Sequence, residues 1–438
     1  MRIRFFILCL ITTSLLNAQG FNSVKLDSLF DLIEENNKGM GSLSIYQNGK
    51  PIYAKAIGYK DLEADLKADT ASKYRIGSIT KIFTSTLIMQ LIEDEKLTLS
   101  TSLDSYFPNV ENADKITIKM LLGHRSGIFN FTSSPDYIQW MESPVTKIQL
   151  IERLENFESV FIPNEKTEYS NSNYLLLTFI LEEITGKSFA DLIADKICNP
   201  AGLTSTYYGG KINPDNNEVR SYTRSREWKL GTETDMTVPR GAGAIVSTPS
   251  DLNKFLNALF TPDKLITTAS LEKMKTIQDG MGLGMFQVPF YDKRGYGHNG
   301  GIDGFQTSAF YFPEEKASFS YFSNGVVMIP NEILIGILSI YFGMDYQIPS
   351  FEIVEVSDDL LESYSGNYTS PDLPMDIVVT RTDVSLSAQA TGQPAFPLEA
   401  MGDHQFKFSA AGLEMHFNIN DGSMKLLQAG QTYIYQKQ

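Results

Sequence analysis

From Gly41 the chain alternates apolar and polar positions through GSLSIYQNGKPIYAKAIGY, and Asn48-Gly49 divides the stretch in two. Alternation marks a half-buried strand, and Asn-Gly supplies the positive φ angles of a type I′ turn, so a two-strand hairpin is predicted. The period then changes. In SITKIFTSTLIMQLIEDEKL the apolar residues recur three and four apart through Ile79, Ile82, Phe83, Leu87, Ile88 and Leu91. This predicts a long helix with Ser78 at its start and Lys81 one turn on, on the same face.

The middle of the chain reads as mostly helical. NSNYLLLTFILEEITG predicts a helix from near Asn173, capped by Asn or Ser and stopped at Gly186. STPSDLNKFLNALF predicts another, with Ser247, Thr248 or Ser250 as cap and Pro249 in the first turn. Strands return in FQTSAFYFPEEKASFSYFSN, two runs joined by the polar turn PEEK, and the apolar NEILIGILSIYF follows as a helix too short to span a bilayer. Strands on both sides of a helical middle predict an α+β architecture, an α/β sandwich: one antiparallel sheet built from both ends of the segment, flanked by helices, with a helical insert. Beyond Ile348-Pro349-Ser350 the pattern becomes short strands with Gly, Asp and Asn turns and almost no helix, which predicts a small C-terminal all-β, barrel-like domain.

The N-terminus, MRIRFFILCLITTSLLNAQG, carries a basic pair, Arg2 and Arg4, then a twelve-residue apolar run from Phe5 to Leu16, then the small Ala18. That order predicts a secretory signal peptide, and the run falls short of the roughly 20 residues a membrane span needs. The expected division is therefore a signal peptide over 1–18, a large domain over 19–351 and the β domain over 352–438. Export to the periplasm or the medium follows, with no integral membrane segment in the mature chain.

Charge and rare residues narrow the chemistry. A formal net charge of −15 without a Lys/Arg cluster excludes nucleic acid as the expected partner. After cleavage Cys198 is alone, so no intramolecular disulfide is expected, and it reads as a small buried residue. The four histidines, His124, His298, His404 and His416, show no His-x-x-x-His pairing, so neither metal nor cofactor is expected. His124, in LLGHRSGI, reads as a structural loop histidine; His404 and His416 read as surface strand residues.

Ser78-Ile79-Thr80-Lys81 is an S-x-x-K match, and so is Ser270-Leu271-Glu272-Lys273, read as a surface helix turn with Glu272 near Lys273. The spacing alone is weak. A serine hydroxyl is a poor nucleophile until a neighbour takes its proton, and Lys81 is placed to act as base or to hold a positive field over the site. A phenol can share that role, and TEYSNSNYLLL offers Tyr169 on a loop just before a helix. Asn171, two residues on, can offer its amide to the Lys81 ammonium and to a substrate carbonyl. In GYGHNGGIDGFQTSAFYF, His298-Asn299-Gly300-Gly301 reads as the opening of a strand, with Gly300 and Gly301 letting substrate approach the backbone.

S-x-x-K, then Y-x-N about 90 residues on, then H-x-G, resembles the penicillin-recognising serine hydrolases. The likeness is to the class C β-lactamase-like branch, with its DD-peptidases, esterases and D-aminopeptidases, and covers roughly residues 25–345. ITIKMLLGHRSGI, NPAGLTSTYY and GAGAIVSTPSDLNKF look like that family's usual surroundings. Ser270 has no such company.

The resemblance implies an acyl-enzyme at Ser78, with Lys81 and Tyr169 sharing proton transfer. It implies that Asn171 positions the substrate and that His298 lines the pocket. Backbone N–H groups of Ser78 and Gly301 would form the oxyanion hole. The implied substrate is a small molecule or short peptide, cell-wall material among the sources, cleaved at an ester or peptide amide. The chain departs from the β-lactamase pattern where His298-Asn299-Gly300 replaces Lys-Thr-Gly. A mostly neutral imidazole cannot pair with a carboxylate as lysine does, which puts robust penicillin hydrolysis in doubt. The alternatives are β-lactamase activity or a penicillin-binding sensor or scaffold without turnover. The β segment resembles the lipocalin-like domains attached to some relatives.

Overall fold

The computed structural model describes residues 21–438 except 225–226, 350–355, 383–384, 394, 403, 409–410 and 429–430. The expected signal peptide and the expected boundary at 352 lie outside the described residues. The chain divides into two compact units, Met1–Ile348 and Pro349–Gln438.

The first unit is built on a six-stranded antiparallel sheet. Its strands are β1 (Gly39–Gln47), β2 (Lys50–Ile57), β3 (Phe286–Phe290), β4 (Lys293–Ile302), β5 (Phe305–Phe312) and β6 (Ala317–Val326), in the order β3-β4-β5-β6-β1-β2. The two ends of the unit meet where β1 pairs β6, with Leu43 opposite Tyr321. Asn48 and Gly49 both take positive φ, 52° and 72°, so the expected two-residue hairpin closes β1 onto β2.

Six helices matter to the site and its surroundings: α1 (Ser23–Glu35), α2 (Thr80–Glu93), α3 (Asn171–Thr185), α4 (Pro249–Phe260), α5 (Thr268–Lys275) and α6 (Pro330–Tyr341). Strand β6 shows why helices cover both faces of the sheet. Phe319 and Tyr321 point one way, onto Tyr341 of α6 and Phe30 of α1. Ser318 and Ser320 point the other way, where Asn253 of α4 accepts from Ser320 Oγ (2.9 Å) and donates to the Ser44 carbonyl (2.8 Å). Small serines let α4 approach the sheet closely, and Thr248 caps it as expected, with Pro249 at the first helical position. Helix α2 is buried nearly all round, and Phe83 stacks on Phe255 of α4 at 3.8 Å between centroids. This central position carries Lys81 into the interior, while Ser78, just before α2, stays partly exposed.

Three local expectations need correcting. Helix α3 begins at Asn171, not near Asn173, and its Ser170 cap makes no side-chain capping bond; the Asn171 N–H instead donates to Asn130 Oδ1 (3.0 Å). Glu272 pairs with Lys275 (2.7 Å), not Lys273, and Ser270 is buried. His298 to Gly301 lie in the closing half of β4 rather than opening a strand.

The second unit is a closed, sequential eight-stranded barrel of β7 (Gly366–Thr369), β8 (Ile377–Arg381), β9 (Leu386–Ala390), β10 (Phe396–Gly402), β11 (Gln405–Phe408), β12 (Leu413–Asn418), β13 (Ser423–Gln428) and β14 (Gln431–Lys437). Its interior is filled by side chains including Tyr368, Phe406, Met415, Met424 and Tyr435, the state an eight-strand circumference favours. One short helix, α7 (Asp358–Tyr364), adds Leu361 and Tyr364 to that core. His404 is in a turn at φ 68°, not on a strand, with Nδ1 2.6 Å from Tyr364 Oη; His416 is on β12 beside Glu414 (3.0 Å).

Candidate active site

Ser78 lies in a short 3-10 turn, Gly77–Ile79, that feeds α2. The turn is pressed against the end of β4. A Cβ on Gly77, whose φ is +51°, would stand 2.9 Å from Gly301 N, and one on Gly300 would stand 2.0 Å from the Ile76 carbonyl oxygen. Thr307 Oγ1 closes the junction by donating to that same oxygen (2.9 Å). The missing side chain of Gly300 thus makes room for the Ile76 backbone of the turn that carries Ser78. Gly300→Ala should cost about 1–3 kcal/mol of stability, the usual range for overpacking, and should lower turnover with it. Gly301→Ala, where the nearest atoms belong to the flexible Gln306 side chain at 3.7 Å, should leave stability unchanged. Thermal unfolding of the two variants checks this, and equal costs at both positions would remove the packing argument.

Lys81 is fully buried, and its Nζ contacts three oxygens: Ser78 Oγ (2.9 Å), Asn171 Oδ1 (2.8 Å) and the Ala242 carbonyl (2.8 Å). The first two are side chains expected from the sequence; the third is a backbone group from a residue with no distinguishing chemistry. Burial, with no carboxylate in contact among the described residues, holds the Lys81 amine well below the ordinary lysine range. Tyr169 donates its hydroxyl proton to the same Ser78 Oγ (2.8 Å), and burial raises its pKa, so the phenol stays protonated. Ser78 Oγ is therefore held between an amine inclined to take a proton and a phenol inclined to keep one.

Asn171 also donates from Nδ2 to Thr132 Oγ1 (3.2 Å), which fixes the amide orientation. The cleft in front of Ser78 has a volume of about 320 Å³ and is lined by Asn171, Gly301, Phe131, Tyr137, Met141 and Asp303 among others. His298 is not among its lining residues. Its ring is buried against Phe286 (4.2 Å between centroids) and 6.2 Å from Tyr169. Burial first, then the Lys81 charge, pushes its pKa down to about 3, so the imidazole is neutral across the working range.

Two further features flank the site, the first read from the sequence only as a loop histidine. His124 is buried in a left-handed conformation at φ 56°, stacks on Tyr169 at 4.3 Å, and accepts the Ser170 N–H at Nδ1 (3.1 Å). Its ring packs on the Tyr169 phenol and makes no hydrogen bond to Ser78 or Lys81 among the described residues, as a structural loop histidine would. The second is a buried ion pair at the cleft margin: Arg75 Nη1 to Asp303 Oδ2 at 2.9 Å, with Thr234 N–H and hydroxyl on the other carboxylate oxygen. No sequence signal joins residues 75 and 303. Asp303 is the only charged residue lining the cleft among the described residues, and Arg75 balances it.

The family model described as beta-lactamase matches residues 29–335. A penicillin-binding protein from Bacillus subtilis (strain 168) is 26% identical over 436 residues, covering 91% of this chain and 94% of that protein. Teichoic acid D-alanine hydrolase from Staphylococcus aureus (strain MRSA252) is 30% identical over 293 residues, covering 63% of this chain and 68% of its own length. The octameric penicillin-binding protein homologue from Pyrococcus abyssi shares the fold with a TM-score of 0.69 at 23% identity, covering 94% of this chain and 99% of the other. With a family match that runs from within α1 to within α6 and so takes in the whole sheet and the site, the chain belongs to the beta-lactamase family.

Proposed function

We propose that this protein hydrolyses an ester or amide through an acyl-enzyme at Ser78. The observation that carries the reading is the pair of contacts on Ser78 Oγ, from Lys81 Nζ at 2.9 Å and Tyr169 Oη at 2.8 Å. Lys81 in its neutral form takes the Ser78 proton as Oγ attacks the acyl carbonyl, and Tyr169 gives its proton to the departing oxygen or nitrogen. Water then reverses the sequence: it loses a proton to the Tyr169 phenolate, its oxygen attacks the acyl carbon, and Lys81 returns a proton to Ser78 Oγ. Backbone N–H groups of Ser78 and Gly301, both on the cleft wall, receive the oxyanion, and Asn171 orients the scissile group.

The substrate we infer carries no carboxylate beside the scissile bond. Such a carboxylate needs a cation, and among the described residues none lines the cleft; His298, at the usual lysine position, is buried and neutral. A D-alanyl ester fits this requirement, the Staphylococcus aureus relative is named a teichoic acid D-alanine hydrolase, and that relative and the penicillin-binding protein support a place in the cell envelope. Ranking kcat/KM over an activated aryl ester, a D-alanyl ester, a penicillin and a peptide ending in D-alanine tests the reading. A charge-assisted hydrogen bond contributes about 1.5–3 kcal/mol, so the two carboxylate-bearing substrates should trail by roughly tenfold or more. Equal or faster turnover of either overturns the substrate class. No turnover of any of them, with stable acylation by penicillin, would favour the sensor alternative.

A further inference from the structure

We propose that the first unit holds a second ligand site, unconnected with acyl transfer, that binds a small amphiphile with one acidic head group, an alkyl carboxylate or alkyl phosphate. The site is a cleft of about 450 Å³ that shares no lining residue with the one in front of Ser78. Its charged lining is Lys119, Arg125 and Lys273, with no acidic residue among them, in a chain whose net charge is −15. Three cations converging where acids outnumber bases is the arrangement that accepts an anion.

The three are not equivalent. Arg125 is built into the wall: its Nε donates to Asn164 Oδ1 (2.8 Å), Nη2 to the Asn164 carbonyl (2.7 Å), and Nη1 to Thr167 Oγ1 (2.9 Å). Nη1 also contacts the Asp279 carboxylate, so this guanidinium is balanced. Lys119 and Lys273 are exposed at the cleft and make no ion pair among the described residues. Lys273 sits in the last turn of α5, while the acid nearest it in sequence, Glu272, is occupied by Lys275. Two ammonium groups without an ion-pair partner among the described residues therefore line the space, and an anionic oxygen placed there would be attracted to both.

The floor is apolar. Met120, Met281 and Leu283 line it, and methionine adapts its shape to irregular aliphatic groups. Leu283 is buried, and its backbone is fixed by the bond from its N–H to the Met274 carbonyl (3.0 Å), so the floor is preformed. A fully polar anion such as free phosphate would leave this surface unused; a neutral alkane would leave the lysines unpaired. An acidic head with a short alkyl tail uses both, within the size range of small-molecule sites.

The test is isothermal titration of the purified chain with octanoate, octyl phosphate and octanol, and of a K119E/K273E double variant with the same three. Both anions should bind at one site per chain, octanol at least tenfold more weakly, and the double variant should lose at least tenfold affinity for the anions. The ratio of the octanoate and octyl phosphate affinities distinguishes a fatty-acid from a phosphate-ester source. Because both lysines lie outside the acyl-transfer machinery, the variant should keep wild-type aryl-ester turnover, which reports that it is folded. Equal binding of octanol, undiminished anion binding by the double variant, or absence of saturable binding in the wild type each overturns the proposal.

Discussion

Ser78→Ala is expected to lower turnover of an activated aryl ester by about 10⁴-fold or more, the scale seen when the nucleophile of a serine hydrolase is removed. Lys81 Nζ and Tyr169 Oη both converge on Ser78 Oγ, so in the proposed mechanism its loss leaves the base and the acid with nothing to exchange. The fold should be indifferent. Ser78 is only partly buried, and the truncation removes one oxygen from a position bordering an open cleft. Lys81 keeps Asn171 and the Ala242 carbonyl as partners. Stability is therefore expected to change by less than about 1 kcal/mol. Initial rates with the wild type and variant, alongside their thermal unfolding, check both statements. Equal activity in the two proteins would sink the assignment of Ser78.

The second large effect is Lys81→Met, a neutral side chain of similar length. Turnover should fall by about 10²–10⁴-fold, the contribution of a positioned base. The stability change has a sign that depends on pH. Burial lowers the folded-state pKa of Lys81, so as pH falls below the unfolded-chain value of about 10.4 the unfolded protein takes up a proton that the native state does not. The wild type is thus progressively destabilised as pH drops from about 10.4 to the lowered folded value, at about 1.4 kcal/mol per unit, and methionine removes that slope. Against this, the Ala242 carbonyl and Asn171 Oδ1 lose a buried donor in the variant, a cost of about 1–3 kcal/mol each that does not vary with pH. Denaturant unfolding at pH 7 and pH 10 separates the two. The wild type should gain stability relative to Lys81→Met on going from pH 7 to pH 10. A stability difference that stays flat would mean that Lys81 remains an ammonium ion throughout, and the base would then have to be sought elsewhere.

The amino-acid sequence by itself determined the local structure. Asn48-Gly49 makes the hairpin, Thr248-Pro249 starts α4, and Gly186, at φ 66°, ends α3, each because one or two residues meet a dihedral or capping requirement within a few positions. The period of apolar positions distinguished strand from helix because burial of one face imposes it. Ser78 and Lys81 were legible as a pair because a helical turn puts positions three apart side by side, and Tyr169 and Asn171 because the phenol and amide complete a known chemistry. Only the tertiary structure decided the rest. The third acceptor of Lys81 is a carbonyl, and every residue has one, so nothing at Ala242 marks it. Gly300 is required by the Ile76 backbone more than 200 residues earlier, an approach no local pattern encodes. Arg75 and Asp303 find each other only when the turn before α2 docks against the end of β4. His298 is buried against Phe286 because the packing of distant segments, not residue type, sets what covers its ring. Pattern records which faces are buried and which dihedrals are demanded; it does not record which atom each buried group will meet, because that is fixed by packing between segments far apart in the chain.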